Sequence, residues 1–141
     1  MPNRLSLSQG NKTGGDTLRE EMKLVSTAAV LLTAASLAFC ARHGYLLLYG
    51  DAVAHLHIAR RIFDSLNPGF SQLGSVWLPL PHLLMLPFVQ NMQWWQGGLA
   101  GAIPSMASYV LACAGIYRLA RTWMRPLPAL LVFAALALNP G

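Results

Sequence analysis

Hydrophobic and polar positions fall mostly in long blocks along this chain. Residues 1–22 are polar, rich in Gly, Ser, Asn and Thr, and without periodicity. Such a segment buries too little apolar surface to offset its ordering entropy and predicts a disordered tail. From Leu24 to Ala41 no charge interrupts the sequence; Lys23 stands before the run, and Arg42 and His43 close it. A helix needs about 20 apolar residues to cross a bilayer, so the block predicts a membrane-spanning helix over 23–43. A second block, Leu99–Tyr117, ends at Arg118 and predicts another span over 99–118. Pro104 falls in its first turns, where a proline costs least. A short basic turn, 119–126, follows, and residues 127–141 open a third apolar run too short to cross alone. The expectation is a third span cut short, in a chain that continues past Gly141.

Between the spans, 44–98 holds two shorter patterned segments. On a helix turning about 100° per residue, Ala52, Leu56, Ile58, Ala59, Ile62, Phe63 and Leu66 share one broad arc. His57, Arg60, Arg61 and Asp64 fall on the other, which predicts an amphipathic helix over about 51–66. Val76–Val89 is apolar but short and carries Pro79, Pro81 and Pro87. Apolar runs of about 10–14 residues more often lie in the interface than cross it, so 76–90 is expected to be an interfacial helix.

Charge supports that choice. If 76–89 does not cross, Arg4, Lys12, Arg19, Lys23, Arg118, Arg121 and Arg125 share one side, and only Arg42, Arg60 and Arg61 lie opposite. If it crosses, the split becomes four against six, the wrong way for an inside N-terminus. The positive-inside rule therefore favours a cytoplasmic N-terminus and one long non-cytoplasmic loop over 44–98, with Trp94 and Trp95 at the outer interface.

Composition fixes the class. The chain is 55% hydrophobic and 11% charged, against about 25% charged in a soluble domain; this predicts an all-α membrane protein. The net charge of +5 is read as topology, with no nucleic-acid partner, because no aromatic–basic interleaving accompanies it. Cys40 and Cys113 both lie inside apolar runs, and no Cys/His cluster has metal-ligand spacing, so they are read as small buried hydrophobes. "LAFC" at 37–40 is similar to a lipoprotein cleavage box, but Phe39 is bulky for one and the preceding tail is long; an uncleaved anchor is favoured.

Candidate chemistry gathers in "YGDAVAHLHIARR". Asp51 and His55 lie one turn apart on the apolar arc of the expected helix, where a carboxylate and an imidazole are costly unless partnered. Asp51, following Gly50, is equally placed to be the helix N-cap. His55 and the isolated His82 of "PLPHLL" are binding candidates or packed histidines. Arg60 and Arg61 are candidates for holding a phosphate or face water and lipid head groups. Trp77 is an interface anchor or a stacking platform.

In this order, "YGDAVAHLHIARRIFDSLNPGFSQLGSVWLPLPHLLMLPF" and "RLARTWMRPLPALLVFAALALNP" resemble the GT-C membrane glycosyltransferases. Among these the segments look most like the family-39-like bacterial group of protein O-mannosyltransferases and lipid A aminoarabinose transferases. The likeness covers about 24–141, the opening part of a multi-span helical bundle with a long outside loop carrying juxtamembrane helices. It implies transfer of a sugar from a polyprenyl-phosphate donor to a lipid, protein or glycan acceptor on the non-cytoplasmic face of a bacterial inner membrane. Asp51 matches the family's essential first-loop acidic residue, acting on the acceptor hydroxyl. His55, Arg60, Arg61, Trp77 and His82 are the candidate substrate-binding residues; a cation is needed beside the departing phosphate, and Arg60 and Arg61 are candidates for it although they belong to no strict family motif. Ala52 and Val53 after Asp51 leave no Asp-x-Asp, which argues against a divalent metal; no cofactor is implied. Two other readings are a small non-enzymatic membrane adaptor and a redox or quinone-binding subunit using His55, His57 or His82. The second is disfavoured because haem ligation calls for histidines facing each other from spanning helices.

Overall fold

The computed structural model describes residues 4–73 and 77–138, with side chains from Gly15 onward. The described residues form six α-helices and two 3₁₀ turns, with no strand. The helices are α1 (Arg4–His43), α2 (Gly50–Arg61), α3 (Pro79–Val89), α4 (Met92–Gln96), α5 (Leu99–Trp123) and α6 (Pro126–Ala137); the 3₁₀ turns are Tyr45–Leu47 and Phe70–Leu73. Among the described residues two stretches are long and apolar enough to cross a membrane: Gly15–His43, with mean hydropathy 2.0, and Leu99–Trp123, with 1.6. Only 11% and 22% of their apolar windows are buried within the protein, far from the all-round burial of a soluble core helix.

Several boundaries differ from expectation. Helix α1 starts at Arg4, so from there to 22 the expected disordered tail is helical. The physical reason is local: "TLREEMK" at 17–23 is rich in strong helix formers, and Lys23 donates to Glu20 at 2.6 Å one turn away. Helix α5 continues through the expected basic turn to Trp123, leaving only 124–125 between it and α6. Helix α2 stops at Arg61 although its hydrophobic period runs on to Leu66. Asn67-Pro68-Gly69 ends it: proline disfavours helix in the residue before it, Gly69 takes φ +143, and its amide donates to the Ile62 carbonyl at 3.0 Å. Phe63 and Leu66, expected on the buried arc, are therefore exposed. The 76–90 expectation appears as α3; position 76 lies outside the described residues, as do 1–3 of the tail and 139–141 of the third run.

Packing divides the chain into two units, one joining the segment up to Thr33 with that from Tyr109, the other comprising Ala34–Ser108. In the first unit Val25 and Ala29 of α1, Cys113, Tyr117 and Ala120 of α5, and Ala129 and Phe133 of α6 form one apolar cluster. Arg121 Nε donates to Glu21 Oε2 at 2.8 Å and Tyr117 Oη donates to the same oxygen at 3.0 Å. Cys113 is buried, Cys40 half-buried, and both are free thiols.

In the second unit α2 lies on α3. Leu56 and Ala59 meet Met85 and Val89, joined by Ala100 at the start of α5, while Ile58 and Ile62 pack on Leu73. Pro79 sits in the first turn of α3, where a missing N–H costs nothing. Asn91 caps α4, its Oδ1 accepting from the Trp94 amide at 3.1 Å. Gly98, at φ +83, makes the turn into α5 against Leu46 and Leu47.

Candidate functional site

Asp51 occupies the first turn of α2. The N-cap is Tyr49, with no side-chain cap bond, so the capping role open to Asp51 is not the one it plays. Its carboxylate is exposed, with no hydrogen bond or ion pair among the described residues, so the expectation of a carboxylate turned into the apolar face is corrected. The cause is the helix start itself: Gly50 begins α2, and a first-turn side chain has no preceding turn to fold down onto.

His55 follows one turn later and is half-buried. Its Nδ1 lies 2.9 Å from Nε2 of His82 on α3, and His82 is fully buried. The edge of Trp77 meets the His55 ring, centroids 4.8 Å apart at 63°. Burial holds the His82 imidazole below its ordinary value, the repulsion that would arise if both rings were protonated adds to this, and the Leu78 carbonyl partly offsets it. Nδ1 of His82 is buried without a hydrogen-bond partner among the described residues. His55 is therefore brought together with Trp77 and with His82, 27 positions away.

Arg60 is drawn elsewhere. Its Nη1 donates to the Val89 carbonyl at 2.6 Å and to the Gln90 carbonyl at 3.3 Å. Its guanidinium lies 5.4 Å from the Trp95 ring centroid, and it contacts Asp64 at 3.3 Å. Arg60 thus satisfies the last carbonyls of α3, which have no intrahelical donor; it ties α2 to α3. Arg61 is exposed, and so is His57, whose ring meets Trp95 edge-on at 5.4 Å.

A cavity of about 210 Å³ opens beside this cluster, lined by Ala52, His55, Met85, Gly98, Gly101 and Ser105 among others. Sequence reasoning missed Ser105 and the two glycines; the only signal was the small-residue run "GGLAGA" at 97–102. Among the described residues no group of three or more His, Cys, Asp and Glu converges to hold a metal; the two histidines face each other without a third ligand.

No protein family, curated protein or solved structure matches the chain. The functional reading therefore rests on the residues themselves.

Proposed function

We propose that 44–98 is the outside loop of a GT-C-type membrane glycosyltransferase, which moves a sugar from a polyprenyl-phosphate donor to a lipid, protein or glycan acceptor. The observation that carries this reading is Asp51: an exposed carboxylate without a partner among the described residues, followed directly by Ala52 and one turn later by His55, both of which line the same cavity. A carboxylate left unpaired is available to take the proton of an acceptor hydroxyl. Arg61, exposed and unlike Arg60 not spent on a helix end, is the better placed of the two for the departing phosphate.

Two further observations support the membrane setting. Glu21, just before the charge-free run of α1, contacts Arg121, late in α5, at 2.8 Å. Residues that touch share a side of the membrane, so the chain between them crosses an even number of times. Crossings by α1 and α5 meet that count, and α3 adds none. Leu80, Leu83 and Leu84 of α3 are exposed, the apolar face that an interfacial helix presents to lipid. With the basic excess on the side of the N-terminus, this supports a non-cytoplasmic loop and a cytoplasmic N-terminus.

The test is transfer of radiolabelled sugar from a panel of polyprenyl-phosphate hexoses and pentoses by the intact protein in its native membrane. Asp51→Asn is expected to lower transfer by about 10² or more at unchanged expression. Near-normal transfer by Asp51→Asn removes Asp51 from the chemistry. No transfer by the unmodified protein with any donor overturns the enzyme reading in favour of a membrane adaptor.

A further inference from the structure

The turn that ends α2 carries its apolar side chains outward. Its base is fixed: Ile62 and Leu73 are buried and pack with Ile58. Its backbone closes on itself. The Gly69 amide donates to the Ile62 carbonyl at 3.0 Å and the Gln72 amide to the Gly69 carbonyl at 3.1 Å. The Gln72 side chain donates to the Asn67 carbonyl at 2.9 Å. Between these fixed points Phe63 is 44% exposed, Phe70 69% and Leu66 fully exposed. A turn held from within, with three large apolar side chains in the open, calls for an apolar partner.

Charge decides which partner. The Asp, Glu, Lys and Arg residues of 44–98 are Asp51, Arg60, Arg61 and Asp64, and from Ser65 through Tyr117 there is none. That charge-free stretch joins the turn to α3, with its exposed Leu80, Leu83 and Leu84, and to α5, which is long and apolar enough to cross a membrane. A protein partner is steered and selected largely by charge complementarity, and the tip offers no charge for it. Lipid asks only for apolar side chains and a satisfied backbone. An interfacial element reaches about 5–10 Å into the boundary between head groups and acyl chains, and backbone groups there need partners of their own, as the Ile62, Asn67 and Gly69 carbonyls have. The exposed Arg61 and Asp64 limit the depth, because a charge is costly below the head groups.

We propose that the turn 63–70 is a lipid-inserting tip: Phe63, Leu66 and Phe70 enter the head-group–acyl boundary of the bilayer that α1 and α5 cross, while Arg61 and Asp64 stay in water. With no cation from Ser65 onward, the tip needs no anionic lipid. The proposal rests on the membrane setting of the loop and on no part of the transfer chemistry.

The experiment places nitroxides on single cysteines at Leu66, Phe70, Ser71 and Leu111, with Cys40 and Cys113 changed to serine, in the intact protein in phosphatidylcholine nanodiscs. Collisions with oxygen, which concentrates in lipid, are compared with collisions with a water-soluble nickel chelate. Oxygen should dominate at Leu66 and Phe70. The ratio should reverse at Ser71, which points about 120° away from Phe70 on the same 3₁₀ turn. Nickel-dominated collisions at Leu66 and Phe70 overturn the insertion. Labels there that neither reagent reaches are covered by protein, a second copy or another polypeptide, and overturn it as well. Leu111, exposed in the middle of α5, tests the setting: nickel contact at that position overturns the span and the tip together. In the unmodified protein, with phenylalanine protonated in a deuterated background, the Phe70 ring should show NMR cross-peaks to acyl-chain methylenes. Cross-peaks to water alone overturn the insertion without need of any variant. Absence of sugar transfer alongside oxygen-dominated collisions at Leu66 and Phe70 overturns the transferase reading alone.

Discussion

Replacing Arg60 by alanine separates a residue that holds the loop together from one that holds a substrate. The Arg60 side chain is 16% exposed, and its Nη1 meets the carbonyl of the fully buried Val89. A charged hydrogen bond to such a carbonyl is worth roughly 1.5–3 kcal/mol. The guanidinium over Trp95 adds about 0.5–1 kcal/mol. The Asp64 contact adds close to nothing, because Asp64 is 65% exposed and its field is screened. Water can replace Arg60 at the exposed Gln90, which favours the lower end. The expected loss is about 2 kcal/mol, or roughly thirtyfold faster native-state exchange of amides that open with α3. Arg60→Lys should lose about half as much, since a point charge reaches one carbonyl but cannot stack as a plane. The assay is hydrogen exchange of the intact protein in nanodiscs, read over residues 83–91. A less than twofold change in Arg60→Ala would refute the helix-tying role and return Arg60 to the phosphate-holding set.

Two further outcomes follow from the same unit. Gly98→Ala puts a Cβ 3.0 Å from Leu46 Cβ and from Leu47 Cδ2 at φ +83, whereas Gly44→Ala, at φ +71, meets nothing within 4 Å; both carry the left-handed backbone cost of about 1–2 kcal/mol, so thermal unfolding should show Gly98→Ala as the more damaging, and equal losses would contradict the close packing. The lowered His82 value means that, between it and the ordinary histidine value of about 6.5, the unfolded segment binds more protons than the folded one, so stability rises with pH there. Exchange protection of α3 should be flat above pH 7 and fall on acidification through that window, a fall that His82→Phe diminishes; protection that grows on acidification would contradict the buried neutral imidazole.

The two long apolar helices were legible because each is a charge-free block closed by basic residues, and α2 and α3 were legible from one apolar period and one set of prolines. What the period could not show is where a helix stops. Leu66 continues the apolar arc of α2, but the Asn67-Pro68-Gly69 turn decides the end. The tail departs from expectation for the converse reason: its composition is polar, yet 17–23 consists largely of helix formers and runs within α1 straight into the apolar stretch. Within the site, helical spacing put Asp51 and His55 on one face, but only the packing of α2 on α3 shows that His55 meets His82, 27 positions away, while Asp51 finds no partner among the described residues. Arg60 looked like a free cation because no sequence rule says which side chain will reach the open end of a neighbouring helix.

If 44–98 is an outside loop that does not cross the membrane, a cysteine placed at the exposed Ser71, in a background with Cys40 and Cys113 changed to serine, faces the outside of the cell. Intact cells are treated with a membrane-impermeant thiol reagent. Labelling before lysis, to the same extent as after it, is the expected result. Labelling only after lysis would put the loop, and with it Asp51 and the His55–His82 pair, on the cytoplasmic side.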